Sequence, residues 1–196
     1  MLLYTYLRLR NDLKFRGLGN VPPGPVILAC NHASFMDPVL VSIAFPHPGR
    51  RVRWIAWDAL FRIPLLGFLI RKLGAFPVAV DGADRSALDT ALGLLRAGGL
   101  VGVFPEGGRT PTGEFQQAKR GFAVLASRSR ASVVPVAIRG SYRAWPMHEL
   151  LPGPGKVRVY FLPPLRCESR PLDRTRQESL CREFGRIQKE WGEKGY

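Results

Sequence analysis

A chain of 196 residues suits one domain with a single core, and its 46% hydrophobic and 22% charged residues exclude a disordered tract. With 29 Lys and Arg against 15 Asp and Glu the net charge is +14, which speaks of partners rather than fold: nucleic acid, an anionic membrane face, or an acidic protein or substrate. Cys30, Cys167 and Cys181 are too few and too scattered for a disulfide framework, and no two have metal-ligand spacing, so a reducing compartment is the simplest reading.

Leu2, Leu3, Tyr6, Leu9 and Leu13 recur at helical spacing, with Arg8, Arg10, Lys14 and Arg16 nearby. This predicts a basic amphipathic helix over 2–16, within a segment 1–19, of the kind that rests in a lipid interface. A helix packed on the core with a solvated basic side is the alternative. The charges follow the apolar residues and no small-residue cleavage site appears, so the segment is not expected to be a secretory leader. No stretch reaches the ~18 apolar residues that a bilayer-spanning helix needs.

After the breaker Val21-Pro22-Pro23-Gly24-Pro25, the run Val26 to Cys30 reads as a buried strand. Pro38 to Ala44 starts a helix, Arg51 to Trp57 alternates as a strand, and Ala59 to Leu73 reads as helical with a break near Pro64. Ala75 to Val80 reads as a further strand. Arg85 to Ala97 has helical periodicity through Leu88, Leu92 and Leu95, ended by Gly98-Gly99. Leu100 to Phe104 and Val133 to Ile138 are further buried strands, with a short helix Gly121 to Ser129 between them. Lys156 to Phe161 alternates as a strand, and Asp173 to Trp191 is a polar helix with a thin apolar stripe. Apolar strands alternating with helices predict a single α/β domain: a mostly parallel or mixed central sheet covered by helices, with an N-terminal amphipathic helix. The expected division is 1–19 for that helix, 20–165 for the core, and 166–196 for a C-terminal helix packing on it.

Two segments follow buried strands directly, where an α/β sheet presents its site. In Asn31-His32-Ala33-Ser34-Phe35-Met36-Asp37, one turn brings the Asp37 carboxylate to the His32 imidazole. A carboxylate on one ring nitrogen fixes the tautomer and leaves the other nitrogen to take a proton. Ser34 has no elbow motif around it, so His32 could activate a substrate hydroxyl directly. The alternative is a capping Asn, a hydrogen-bonded His and an N-cap Asp. In Phe104-Pro105-Glu106-Gly107-Gly108-Arg109-Thr110, two glycines let backbone approach a ligand and Arg109 offers a fork suited to phosphate. Alone, this segment could equally be a turn with a surface Arg.

Taken together and in order, these segments resemble the glycerolipid acyltransferase family, whose bacterial members include 1-acyl-glycerol-3-phosphate acyltransferases. Its Asn-His with Asp five residues after the His matches Asn31, His32 and Asp37, and its Phe-Pro-Glu-Gly-x-Arg matches Phe104, Pro105, Glu106, Gly107 and Arg109. Lys119 and Gly121 resemble its Lys-x-Gly, and Val133 to Ile138 its later apolar block around a proline. The chain departs at the second block. Gly74-Ala75-Phe76-Pro77-Val78 fits, but Ala79 and Val80 stand where the family has a phosphate-holding Arg, and Arg85 is the nearest substitute.

The resemblance implies a 1-acylglycerol-3-phosphate O-acyltransferase of phospholipid synthesis. It would move a fatty acyl group from acyl-CoA or an acyl carrier protein thioester to the sn-2 hydroxyl of lysophosphatidic acid. His32 would be the base and Asp37 its orienter. Arg109, with Lys119 and Arg85, would hold the phosphate. Glu106 would position the acceptor or support Arg109, Gly107 and Gly108 would offer N–H groups, and Asn31 would line the substrate site. The thioester is already activated, so no cofactor or metal is implied. Peripheral attachment to the anionic cytoplasmic face of the cell membrane is expected. The alternatives are acylation of another lyso-lipid or of glycerol 3-phosphate, or a basic lipid- or nucleic-acid-binding protein. Nucleic acid is not expected, since no zinc pattern, RRM signature or clear helix-turn-helix is present.

Overall fold

The computed structural model describes residues 2–78, 85–149, 151–165 and 173–193. Its strands are β1 (Lys14–Arg16), β2 (Val26–Cys30), β3 (Val52–Trp57), β4 (Phe76–Val78), β5 (Leu100–Val103), β6 (Ser132–Arg139) and β7 (Arg158–Phe161). The helices are α1 (Leu2–Asn11), α2 (Asp37–Ile43), α3 (Pro64–Lys72), α4 (Arg85–Arg96), α5 (Arg120–Ser129), α6 (Ser141–Ala144) and α7 (Arg174–Glu193). The strands form one sheet in the order β1-β7-β6-β2-β5-β3-β4. All neighbours are parallel except β6 and β7, so the sheet is mixed, as the pattern of apolar strands implies.

Buried side chains divide between the two faces of the sheet. On one, Leu28, Cys30, Val52 and Trp54 pack with Leu7 of α1 and Leu40 and Val41 of α2. On the other, Ile27, Ala29, Val101 and Val103 pack with Ala91, Leu92 and Leu95 of α4, Phe122 and Leu125 of α5, and Leu180 and Phe184 of α7. The central strand β2 is wholly buried because both faces are covered. The Cys30 thiol within it is pushed well above its ordinary pKa by burial, with the Asp37 charge adding to the effect.

The start of the chain differs from the expected 2–16 helix. Helix α1 ends at Asn11, where a buried side-chain amide donates to the Gly153 carbonyl at 3.0 Å. Asp12 then takes a positive φ of 40°, and Lys14 to Arg16 join β7 as a parallel edge strand. A three-residue strand has no periodicity to read, and the helical pattern runs through it because Leu13 is buried by sheet packing. Tyr6 and Leu9 of the expected stripe remain exposed, Leu9 by 82%. The break at Pro64 is real: residues Asp58–Arg62 form a 3-10 turn before α3. Residues 79–84, which hold the missing-Arg positions Ala79 and Val80, and Cys167 lie outside the described residues.

Gly102 is the small residue on which the β5–β3 contact turns. It pairs with Trp54, and a Cβ added there would lie 2.6 Å from the indole ring. Gly102→Ala is therefore expected to cost about 1–3 kcal/mol by overpacking. Urea unfolding of the variant measures it, and a midpoint equal to that of the wild type would show that Trp54 has room to move.

Candidate active site

Register brings the two loops together. Ala29 of β2 pairs with Val103 of β5, so His32 and Glu106, each three residues further on, emerge level at the same end of the sheet. The His32 N–H donates to Glu106 Oε1 at 3.2 Å, and Thr110 N–H donates to the His32 carbonyl at 2.9 Å, so the second loop grips the first at both ends of one residue.

Asp37, the first residue of α2, is fully buried. Its Oδ2 accepts from Ala33 N–H and Ser34 N–H, each at 2.7 Å, and lies 3.1 Å from His32 Nδ1. An ionised carboxylate can only accept, so Nδ1 carries the proton and Nε2 is the nitrogen left to take another. The imidazole lies flat on Phe104, with ring centroids 3.8 Å apart and planes 13° apart, and Phe104 stacks in turn on Trp54 at 4.9 Å. Trp54 donates its indole N–H to Ser42 Oγ, and Ser42 donates to the Pro38 carbonyl, which ties the stack back to α2. Three adjacent strands thus hold one ring in place. Ser34 is committed elsewhere: its hydroxyl donates to the Trp145 carbonyl at 2.8 Å and accepts from Met36 N–H, which removes it as a nucleophile.

Arg109 reaches the same region. Its guanidinium carbon sits 3.5 Å over the Phe35 ring, and Phe35 packs on Trp145. Burial lowers the Arg109 pKa from its ordinary value while the nearby Asp37 charge acts in the opposite direction. Three buried polar atoms here, Arg109 Nη1, Asp37 Oδ1 and Glu106 Oε2, have no hydrogen-bond partner among the described residues. Each such group costs about 1–3 kcal/mol while it stays unpaired, so three of them in the two adjoining loops stand out. The Glu106 carboxyl is pushed up to about 7. Burial is the main cause, the backbone N–H groups of His32 and Gln116 oppose it, and the Asp37 charge adds to it.

The remaining expected residues divide. Lys119, at the N-cap of α5, is exposed, and its Nζ lies 2.8 Å from where a Gly107 Cβ would stand, so it lies across the glycine loop. Gly107 takes φ +75°, which favours glycine, but its N–H donates to the Phe104 carbonyl at 2.9 Å and is already spent in a turn. Gly108 stands in open space. Asn31 is engaged within the sheet. Its amide donates to the Ile138 carbonyl at 2.9 Å and accepts from Ile138 N–H at 2.6 Å, so it extends the β2–β6 pairing from a buried position. The backbone of Arg85 opens α4, and its side chain lies outside the described residues. Trp54 and Trp145 belong to no motif of the sequence. The one signal for Trp54 was Gly102, a glycine inside an apolar strand, which marks a close approach.

Residues 12–139 match a family model described as Acyltransferase. The chain is 31% identical over 140 residues to a 1-acyl-sn-glycerol-3-phosphate acyltransferase of Bacillus subtilis, covering 70% of this chain and 68% of the relative. A chloroplastic 1-acyl-sn-glycerol-3-phosphate acyltransferase of Arabidopsis thaliana is 28% identical over 177 residues, covering 87% of this chain. The chain spans 46% of that plant protein's length. Among solved structures, the 1-acyl-sn-glycerophosphate (LPA) acyltransferase PlsC of Thermotoga maritima superposes with a TM-score of 0.75 at 26% identity, covering 98% of this chain and 76% of that one.

Glu106 supplies a pH signature. Folded, it holds its proton up to about 7; unfolded, it releases it near 4.5. Between these values the folded state binds more protons than the unfolded, so stability falls as pH rises through the window. Glu106→Gln does not titrate. Relative to that variant the wild type should lose on the order of 3 kcal/mol between about pH 5 and about pH 8. Urea unfolding of both proteins across the window measures it, and parallel pH curves would rule the titration out.

Proposed function

The chain belongs to the acyltransferase family, and we propose that it transfers a fatty acyl group from an acyl thioester to the sn-2 hydroxyl of 1-acyl-glycerol 3-phosphate, giving phosphatidic acid. The observation that carries this reading is a single imidazole held through Nδ1 by a buried carboxylate, with an incompletely paired guanidinium beside it. The printed activities of the Bacillus and Arabidopsis relatives support the acceptor.

His32 Nε2 takes the proton of the acceptor hydroxyl as its oxygen attacks the thioester carbonyl carbon. Asp37 keeps the imidazole in the correct tautomer and stabilises the imidazolium that forms. The tetrahedral intermediate collapses, the carbon–sulfur bond breaks, and the imidazolium returns its proton to the departing thiolate. Arg109 Nη1 completes its bonding on the acceptor phosphate, with Lys119 Nζ as a second cation across the loop. Glu106 pins the His32 backbone through Oε1, and its free Oε2 faces the acceptor. The donor is acyl-CoA or an acyl carrier protein thioester, whose activation supplies the driving force. The setting is the cytoplasmic face of an anionic membrane, held peripherally. The exposed Tyr6 and Leu9 beside Arg8 and Arg10, and the net charge of +14, support this. No helix among the described residues is long and apolar enough to cross a bilayer.

His32→Ala should lower turnover about a thousand-fold or more with the urea midpoint preserved, and Asp37→Asn on the order of a hundred-fold. Rates within a few-fold of wild type for His32→Ala would end the mechanism. The phosphate assignment has its own test. Arg109→Ala should reduce kcat/KM by about 2–5 kcal/mol for lysophosphatidic acid and by little for monoacylglycerol. Crossing residue with substrate group cancels general damage to the fold. Equal losses with both acceptors would mean that Arg109 does not read phosphate.

A further inference from the structure

A second cationic feature lies away from His32. Arg51 and Arg53 at the start of β3, and Arg71 and Lys72 at the end of α3, line an open hollow of about 340 Å³ whose remaining walls include Gly49 and Gly74. No acidic side chain lines it among the described residues. Arg53 pairs with Val101, and Val101 with Ile27, five residues before His32. At about 3.3 Å per residue this sets the hollow roughly 16 Å from the catalytic end of the sheet. It is therefore separate from the cations at Arg109 and Lys119.

What adjoins the hollow gives it a use. Helix α3 buries only Gly67, and Leu65, Phe68 and Leu69 form an exposed apolar ridge along it. The Lys72 ammonium lies 5.5 Å over the Phe68 ring and joins the ridge to the hollow. Both β2–α2–β3 and β3–α3–β4 cross rightward in the sheet order, so α3 lies on the same face as α2 and α1. Tyr6 and Leu9 of α1 are exposed on that layer too. None of the exposed large apolar side chains among the described residues belongs to α4, α5 or α7, which cover the opposite face. An apolar ridge ending in a cluster of cations suits the boundary of an anionic bilayer, with acyl chains at one level and phosphate at the next.

We propose that the Arg51–Arg53–Arg71–Lys72 hollow seats the phosphate of an anionic phospholipid headgroup while Leu65, Phe68 and Leu69 enter the acyl region, so that the protein docks on a membrane by the α3 edge. The proposal rests on the membrane setting given above and adds a defined site and orientation to it. The test is sedimentation of the full chain with phosphatidylcholine vesicles, with and without phosphatidylglycerol. Arg71→Gln/Lys72→Gln should weaken binding to the phosphatidylglycerol vesicles about thirty-fold, near five-fold per cation. The charge-matched control Arg128→Gln/Arg182→Gln, on exposed positions of α5 and α7, should change it a few-fold at most. Phe68→Ser, with every cation kept, should weaken binding to both vesicle types about tenfold. With a dispersed short-chain acceptor and no vesicles, the Arg71/Lys72 variant should keep its kcat and its KM for acyl-CoA. Equal losses in the two charge-matched variants would overturn the site, leaving only net charge. A several-fold rise in KM for acyl-CoA with unchanged vesicle binding would overturn it in favour of the donor's phosphates. Failure of the wild type to bind anionic vesicles would remove the membrane setting and this site with it, whereas vesicle binding lost only in the α3 variants upholds both.

Discussion

Everything at the catalytic end of this molecule depends on the parallel register of β2 and β5. Because Ala29 lies opposite Val103, equal steps past the two strands put His32 and Glu106 side by side. A shift of one residue would turn each side chain to the other face of the sheet. It would part the imidazole from Phe104, whose stack on Trp54 depends on the next register, Trp54 against Gly102. The register is held by burial on both faces: β2 and β5 are apolar at every position, and a slipped pairing would leave the α2 and α4 layers packing against the wrong residues.

The cost of the site falls on Asp37. A fully buried carboxylate is tolerable only when it is paired and hydrogen-bonded. The chain meets this cheaply, by turning Ala33 and Ser34 so that both N–H groups reach the oxygen that also faces His32. The five-residue spacing is thus the length of a loop that returns two amides and an imidazole to one acceptor. Ser34 is part of the same economy. Its hydroxyl bonds Trp145, and Trp145 packs on Phe35, the ring beneath Arg109, so the loop that orients the imidazole also supports the guanidinium.

Much of this was legible in the sequence because it is local. The strands β2 and β5 and the Val133 to Ile138 stretch of β6 are unbroken apolar runs, and the His32–Asp37 contact spans five residues, so spacing alone carries it. Pro64 and Gly98-Gly99 punctuate the chain where the structure does. What the sequence hid is long-range. The strand Lys14–Arg16 exists only because β7 returns beside it, and nothing in three residues announces a partner more than a hundred residues away. Asn31 sits next to His32 and so reads as a substrate group, yet both of its polar atoms go to Ile138 on a neighbouring strand. The spent N–H of Gly107 is likewise a turn bond that composition cannot show. In each case the residue type allowed two roles, and a contact distant in sequence chose between them.

The two carboxylates flanking His32 show how placement divides labour between similar groups. Asp37 meets three N–H donors on one oxygen, including the imidazole's own, while Glu106 meets backbone N–H groups and has one oxygen with no partner. Burial raises Glu106 to about 7, and the charge on Asp37 adds to the rise, so a second negative charge beside the imidazole is disfavoured below about pH 7. The arrangement leaves an oxygen, Glu106 Oε2, that accepts when the carboxyl is ionised and can donate when it is protonated. Burial raises Glu106 and lowers Arg109 alike, disfavouring the charged form of each. The three unpaired atoms are each costly while they stay unpaired: Arg109 Nη1 lacks an acceptor, and Asp37 Oδ1 and Glu106 Oε2 lack donors.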